Sequence, residues 1–71
     1  MLTIKWKVDT LLECIDEDEN DWMEEIFKDD EFDVLDVKTV VEDKEEGDMV
    51  SIYMEDGVIA TTNSNWFEIL D

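Results

Sequence analysis

Asp16, Asp18 and Asn20 stand at alternate positions in "DEDENDWMEEIF", as the first three oxygen donors of a calcium-binding loop would. Such a loop needs glycine at its sixth position for the sharp turn and a bidentate Glu at its twelfth. Here those positions hold Asp21 and Phe27. The pattern therefore predicts no specific calcium site, only loose, low-affinity attraction of divalent cations, and no metal or cofactor is assigned. Nucleophilic chemistry has one thiol to draw on, Cys14, but it stands between acids that raise a thiol pKa. The chain has no histidine, so the usual general base is missing, and no basic partner is placed to activate its Ser or Thr. A catalytic carboxylate pair cannot be singled out from so many. The inventory points away from an enzyme, and no catalytic residue is named.

Those carboxylates are the leading feature of the chain. Its 71 residues carry 23 acids against five lysines, for a net charge of −18. Mass-to-area scaling gives roughly 4,600 Å² for a folded monomer of this size, or about one carboxylate per 200 Å². Self-repulsion of that order costs folding stability, and salt relieves it. Disorder would accommodate the charge, yet 44% of the residues are hydrophobic, with three Trp, three Phe and one Tyr, and the apolar positions are periodic. The composition fits one folded acidic domain over residues 1–71. A single cysteine gives no disulfide framework, and no segment has the apolar length of a signal peptide or membrane span. The expected setting is the cytoplasm.

The elements that must position the acids change character twice along the chain. Leu2, Ile4, Trp6 and Val8 alternate with Thr3, Lys5 and Lys7 as in a half-buried strand. Residues 10–15 read as a turn or strand extension, followed by an acidic loop. Trp22, Met23, Ile26 and Phe27 then fall at helical spacing and predict a short acidic helix over about 21–28, capped by Asn20 or Asp21. Four further runs, at 35–41, 49–55, 58–62 and 66–70, read as a meander of strands. Asp56-Gly57 is its strongest hairpin signal, as a type I′ turn. The expected fold class is α+β: strand, helix and four-strand meander in a small antiparallel sheet or partly open barrel. The closing segment "NSNWFEIL" resembles the end of SH3-like small barrels, where a polar turn precedes an aromatic-led last strand. That resemblance covers about half the chain and implies the barrel shape alone, with no Pro-rich ligand.

Net charge −18 excludes direct nucleic-acid binding, which needs clustered Lys or Arg. The inverse holds more interest, since a folded array of carboxylates attracts whatever ordinarily binds phosphates. Acids at strand or helix spacing, about 6 to 7 Å apart on one face, can stand in for a row of backbone phosphates when the fold holds them in place. The expected contact set is Asp16, Glu17, Asp18, Glu19, Asp21, Glu24, Glu25, Asp29, Asp30, Glu31 and Asp33, followed by Glu42, Asp43, Glu45, Glu46 and Asp48.

In size, charge and interleaved aromatics the chain resembles the small acidic DNA-mimic proteins of bacteriophages and mobile elements. No motif defines that class, so no residue role is carried over from it. Within it, phage inhibitors of the HU nucleoid protein are similar in size and acidity, which makes an HU-type protein the first expected target. Inhibitors of uracil-DNA glycosylase, restriction enzymes and CRISPR effectors share the same look. The resemblance implies competitive occupation of a host protein's basic DNA site, with no membrane partner. Two rival accounts of the acidity are an adaptor for a basic protein surface unrelated to DNA, and halophilic adaptation. One Ala and no Arg weigh against the latter. Dimerisation through an exposed apolar strand is left open.

Overall fold

The computed structural model describes residues 1–70 and shows eight strands with one short 3-10 turn. In chain order these are β1 (Leu2–Trp6), β2 (Thr10–Ile15), β3 (Asp21–Ile26), β4 (Glu31–Val34), β5 (Asp36–Val41), β6 (Met49–Tyr53), β7 (Ile59–Asn63) and β8 (Phe67–Ile69). The 3-10 turn, Ser64–Trp66, stands between β7 and β8. Two antiparallel sheets result, one ordered β4-β1-β8 and the other β3-β2-β7-β6-β5.

This corrects the α+β expectation: among the described residues there is no α-helix, and the segment expected as an acidic helix is β3. The reason lies in the spacing. Residues four apart share a face in a helix and, because four is even, in a strand as well. Trp22 and Ile26 do face the core together, but from a strand, while Met23 and Phe27 are turned to solvent, each about half exposed. The partner that decides the matter is β2, which pairs with β3 over its whole length, from Thr10↔Ile26 to Ile15↔Asp21. Residues 16–20 close this hairpin, with Glu19 in the left-handed region at φ 66°.

The four-strand meander is corrected too. β5, β6 and β7 do lie side by side, but β8 leaves them to pair with β1 through Trp6↔Phe67. The 54–57 turn is not type I′, because Gly57 alone takes positive φ there, at 84°. Its bonds, Gly57 N–H to Met54 C=O and Met54 N–H to Val58 C=O, form the longer hairpin loop that ends in a left-handed glycine.

The chain crosses between sheets at residues 7–9, 27–30, Leu35 and 64–66, so the inner faces of both enclose one core. Ile4 and Trp6 of β1, Leu12 of β2, Val34 of β4 and Ile52 of β6 are fully buried in it. Trp6 is its centre, edge-on to Phe32 at 6.2 Å and tilted against Phe67 at 5.5 Å. Among the described residues no helix is long and apolar enough to cross a membrane.

Candidate acidic interface

Antiparallel pairing sends the connections of the five-stranded sheet to two opposite ends. At one end lie the β2–β3 turn, 16–20, and the β6–β7 turn, 54–58. At the other lie residues 7–9, the 27–30 turn, the 42–48 loop and the 3-10 turn. We call these the tip and the base. With strands of five to six residues the two are separated by roughly 20 Å.

The expected contact set is therefore divided. Asp16, Glu17, Asp18 and Glu19 occupy the tip, with Asp21 beside them at the start of β3. Asp29 and Asp30 lie in the 27–30 turn at the base, and Glu42, Asp43, Glu45, Glu46 and Asp48 lie in the 42–48 loop at the same end. Glu25 is on the outer face of β3, opposite Leu11, whereas Glu24 is on its core-side face, opposite Leu12, and accepts the Trp22 indole N–H at 2.9 Å. Glu31 and Asp33 belong to β4, opposite Lys5 and Thr3 of β1. No single surface holds the whole set.

Sequence reasoning missed Glu55 and Asp56. The hairpin at 56–57 was legible, but its neighbour in space was not. Pairing of β2 with β7, from Glu13↔Thr61 to Ile15↔Ile59, brings the two turns together at the tip. The contact is close enough that a Cβ on Gly57 would collide with the Glu17 side chain. The tip thus gathers Asp16, Glu17, Asp18, Glu19, Asp21, Glu55 and Asp56, with no lysine among them.

The carboxylates divide by what their oxygens do. Aspartates close the turns, because a short side chain reaches its own backbone two or three residues on. Asp16 accepts the N–H groups of Asp18 and Asn20 at 2.9 and 3.0 Å and the Asn20 amide at 3.2 Å. Those bonds, the Asn20 backbone first, hold its pKa below the ordinary aspartate value. Asp43 accepts from the N–H of Glu45 and Glu46, and Asp48 from that of Asp43. Asp30 accepts the Phe27 N–H, Asp9 that of Lys28, and Asp33 the Thr3 hydroxyl. Glu17, Glu19, Asp21, Glu25, Glu42, Glu45 and Glu46 are exposed and, among the described residues, their carboxylates accept no hydrogen bond, Glu17 lying with its carboxylate against Gly57.

Counter-charge is scarce and confined. Among the described residues there is one ion pair, Lys5 to Asp29 at 3.9 Å, and it lies toward the base. Lys7, Lys28 and Lys44 also belong to the base connections, and Lys38 on β5 lies over the Tyr53 ring at 5.3 Å. Cys14 is buried, which pushes its thiol pKa up, with Glu24 and Asp56 adding to the effect. No group of three or more potential ligands able to hold a metal is found among the described residues.

Two concavities accompany the charge. On the outer face of the five-stranded sheet a groove of about 410 Å³ is lined by Leu11, Met23, Val41, Met49 and Trp66, all 40% or more exposed, with Glu13, Asp43 and Glu46 at its margin. The second, about 530 Å³, opens where β3 and β4 part and reaches the 54–58 turn.

Comparison with protein-family models, with curated proteins and with solved structures gives no match to the chain.

Proposed function

We propose that this protein is a DNA-mimic inhibitor of phage or mobile-element origin, which occupies the basic DNA-binding surface of a host protein and blocks DNA binding there. One observation carries the reading. The tip presents seven carboxylates, six on two hydrogen-bonded turns that touch each other and Asp21 at the start of β3, without a lysine among them. Fixed placement is what separates a phosphate array from a flexible polyanion. A partner that pairs its Lys and Arg with such an array gains attraction and fast encounter, both falling with salt. An HU-type nucleoid protein is the first target to test. Uracil-DNA glycosylase, restriction enzymes and CRISPR effectors come next.

The outer-face groove favours a second reading. Half-exposed Leu11, Met23, Val41 and Met49 on one sheet face make an apolar surface of the kind that anchors protein partners. An adaptor that bound a basic protein through this face would be indifferent to DNA.

One experiment separates the two. The tagged chain is used to capture proteins from bacterial lysate, with and without excess duplex DNA, and captured proteins are identified by mass spectrometry. Under the mimic reading a DNA-binding protein is recovered and duplex displaces it. A partner retained in excess duplex overturns that reading in favour of the adaptor.

A further inference from the structure

β3 and β4 are consecutive strands, yet they belong to different sheets and do not pair. Each is an edge strand, β3 bonded only to β2 and β4 only to β1. The core is therefore not sealed along this line, and the cleft of about 530 Å³ opens there. Its floor is apolar: Leu12, Trp22, Ile26, Phe32, Met54 and Val58. Its rim is anionic throughout, with Glu24 from β3, Glu31 and Asp33 from β4, and Glu55 and Asp56 from the 54–58 turn. No lysine lines it. Lys5, the nearest in register, sits opposite Glu31 on β1 and is directed to Asp29.

An apolar floor with two aromatic rings under a ring of carboxylates selects a particular kind of occupant. The occupant must be apolar along its stem and cationic at its head. A neutral apolar group would fill the floor but leave the rim without counter-charge, and a small cation would meet the rim but leave the floor wet. Of the side chains that fit, arginine suits best: its guanidinium is planar, stacks on aromatic faces and donates five N–H groups in a fork matched to carboxylates. Lysine offers a compact, strongly hydrated charge that gains less from either ring.

We infer that the β3–β4 cleft is a receptor for one arginine side chain of the partner, seated against Trp22 and Phe32 and held by the carboxylates of the rim. The inference rests on the proposed function for the partner's basic character, and it deepens it. The tip supplies long-range attraction, and the cleft, which shares Glu55 and Asp56 with the tip, supplies a short-range anchor. Arg is among the residues that most often dominate binding energy at protein interfaces, together with Trp and Tyr.

The test is a titration of the isotope-labelled protein with Nα-acetyl-arginine amide, followed at the Trp22 indole N–H, which the Trp22→Phe variant identifies. Saturable displacement of that resonance at millimolar ligand is expected. The citrulline analogue, of the same shape without the charge, should leave it unmoved, and the lysine analogue should bind more weakly. Glu31→Gln with Glu55→Gln, both exposed and outside any turn bond, should weaken the arginine response about tenfold, the equivalent of 1.4 kcal/mol. An equal response to citrulline or to lysine, a response confined to Trp66 on the outer face, or no saturable response overturns the assignment. Arginine binding without a DNA-displaceable partner would leave the cleft standing and sink the mimic. DNA displacement without arginine binding would do the reverse.

Discussion

The tip and the base of the five-stranded sheet are both acidic, yet they spend their carboxylates differently. At the base, Asp9, Asp30, Asp43 and Asp48 bond backbone N–H groups, and Asp29 pairs with Lys5. Lys7, Lys28 and Lys44 are interspersed among them. At the tip, Asp16 alone ties the 16–20 turn together through three bonds, and Glu17, Glu19 and Asp21 have no such employment. Acid content by itself is thus a poor guide to function. Five of the eight carboxylates at the base are architecture, and the free charge at the tip lies on turns that carry no lysine.

Both ends stand on one core, so the strongest way to break the contrast is to remove what they share. Trp6 is fully buried and touches Phe32 and Phe67. Trp6→Ala should cost about 3–5 kcal/mol, most of the stability of a chain this short. In urea unfolding followed by amide NMR, tip and base signals should be lost at the same, much lower midpoint. Separate midpoints would show that the two ends are independent units, and the division of labour between them would lose its structural basis.

Neutralisation at one end at a time sharpens the comparison. Glu17→Gln with Glu19→Gln and Asp21→Asn should slow association with a DNA-displaceable partner about tenfold at low salt, within the range that electrostatic steering covers. The matched base variant, Glu42→Gln with Glu45→Gln and Glu46→Gln, should change the on-rate much less. Neither set includes a turn-bonding carboxylate, and each relieves repulsion, so thermal unfolding should move upward for both. Stopped-flow association at two salt concentrations reads the difference. Equal slowing by the two sets would place the contact across the whole sheet.

How much of this was legible in the chain depends on whether the signal was local. Alternation from Leu2 to Trp6 and from Met49 to Tyr53 is local and became β1 and β6. The β3 segment reads as a helix because the spacing of Trp22 with Ile26 is common to both periods, and because its faces are not cleanly sorted. Met23 points outward, and Glu24 points inward at an open edge. β4 carried a readable alternation in Glu31, Phe32, Asp33 and Val34, hidden only by the acidic run around it. The site fared likewise. Every carboxylate of the 16–21 stretch could be named from the sequence, but its junction with Glu55 and Asp56 is a product of β2–β7 pairing across more than forty residues. The cleft follows from an absence of pairing between β3 and β4, which no local pattern encodes.

The smallest predicted effect concerns pH, and it isolates the carboxylate that ties the 16–20 turn together. Asp16 has its pKa lowered on folding by the Asn20 backbone N–H and the bonds that accompany it. A carboxylate whose folded pKa lies below its unfolded value contributes stability in full above that unfolded value, about 3.9. The contribution is lost as pH falls through the depressed folded value. Acidification from neutrality also lowers the net charge and relieves repulsion over the whole molecule, so global stability is a poor readout. Hydrogen exchange at the Asp18 and Asn20 amides is a better one, because both donate to Asp16. Their protection, corrected for the intrinsic pH dependence of exchange, should hold to about pH 4 and fall below it, while that of the β6–β7 pairs persists. In Asp16→Asn the acid-induced step should disappear, since the amide oxygen still accepts those bonds but no longer titrates. A step that survived in this variant would mean that the tip loosens through another carboxylate, and that Asp16 belongs with its unspent neighbours.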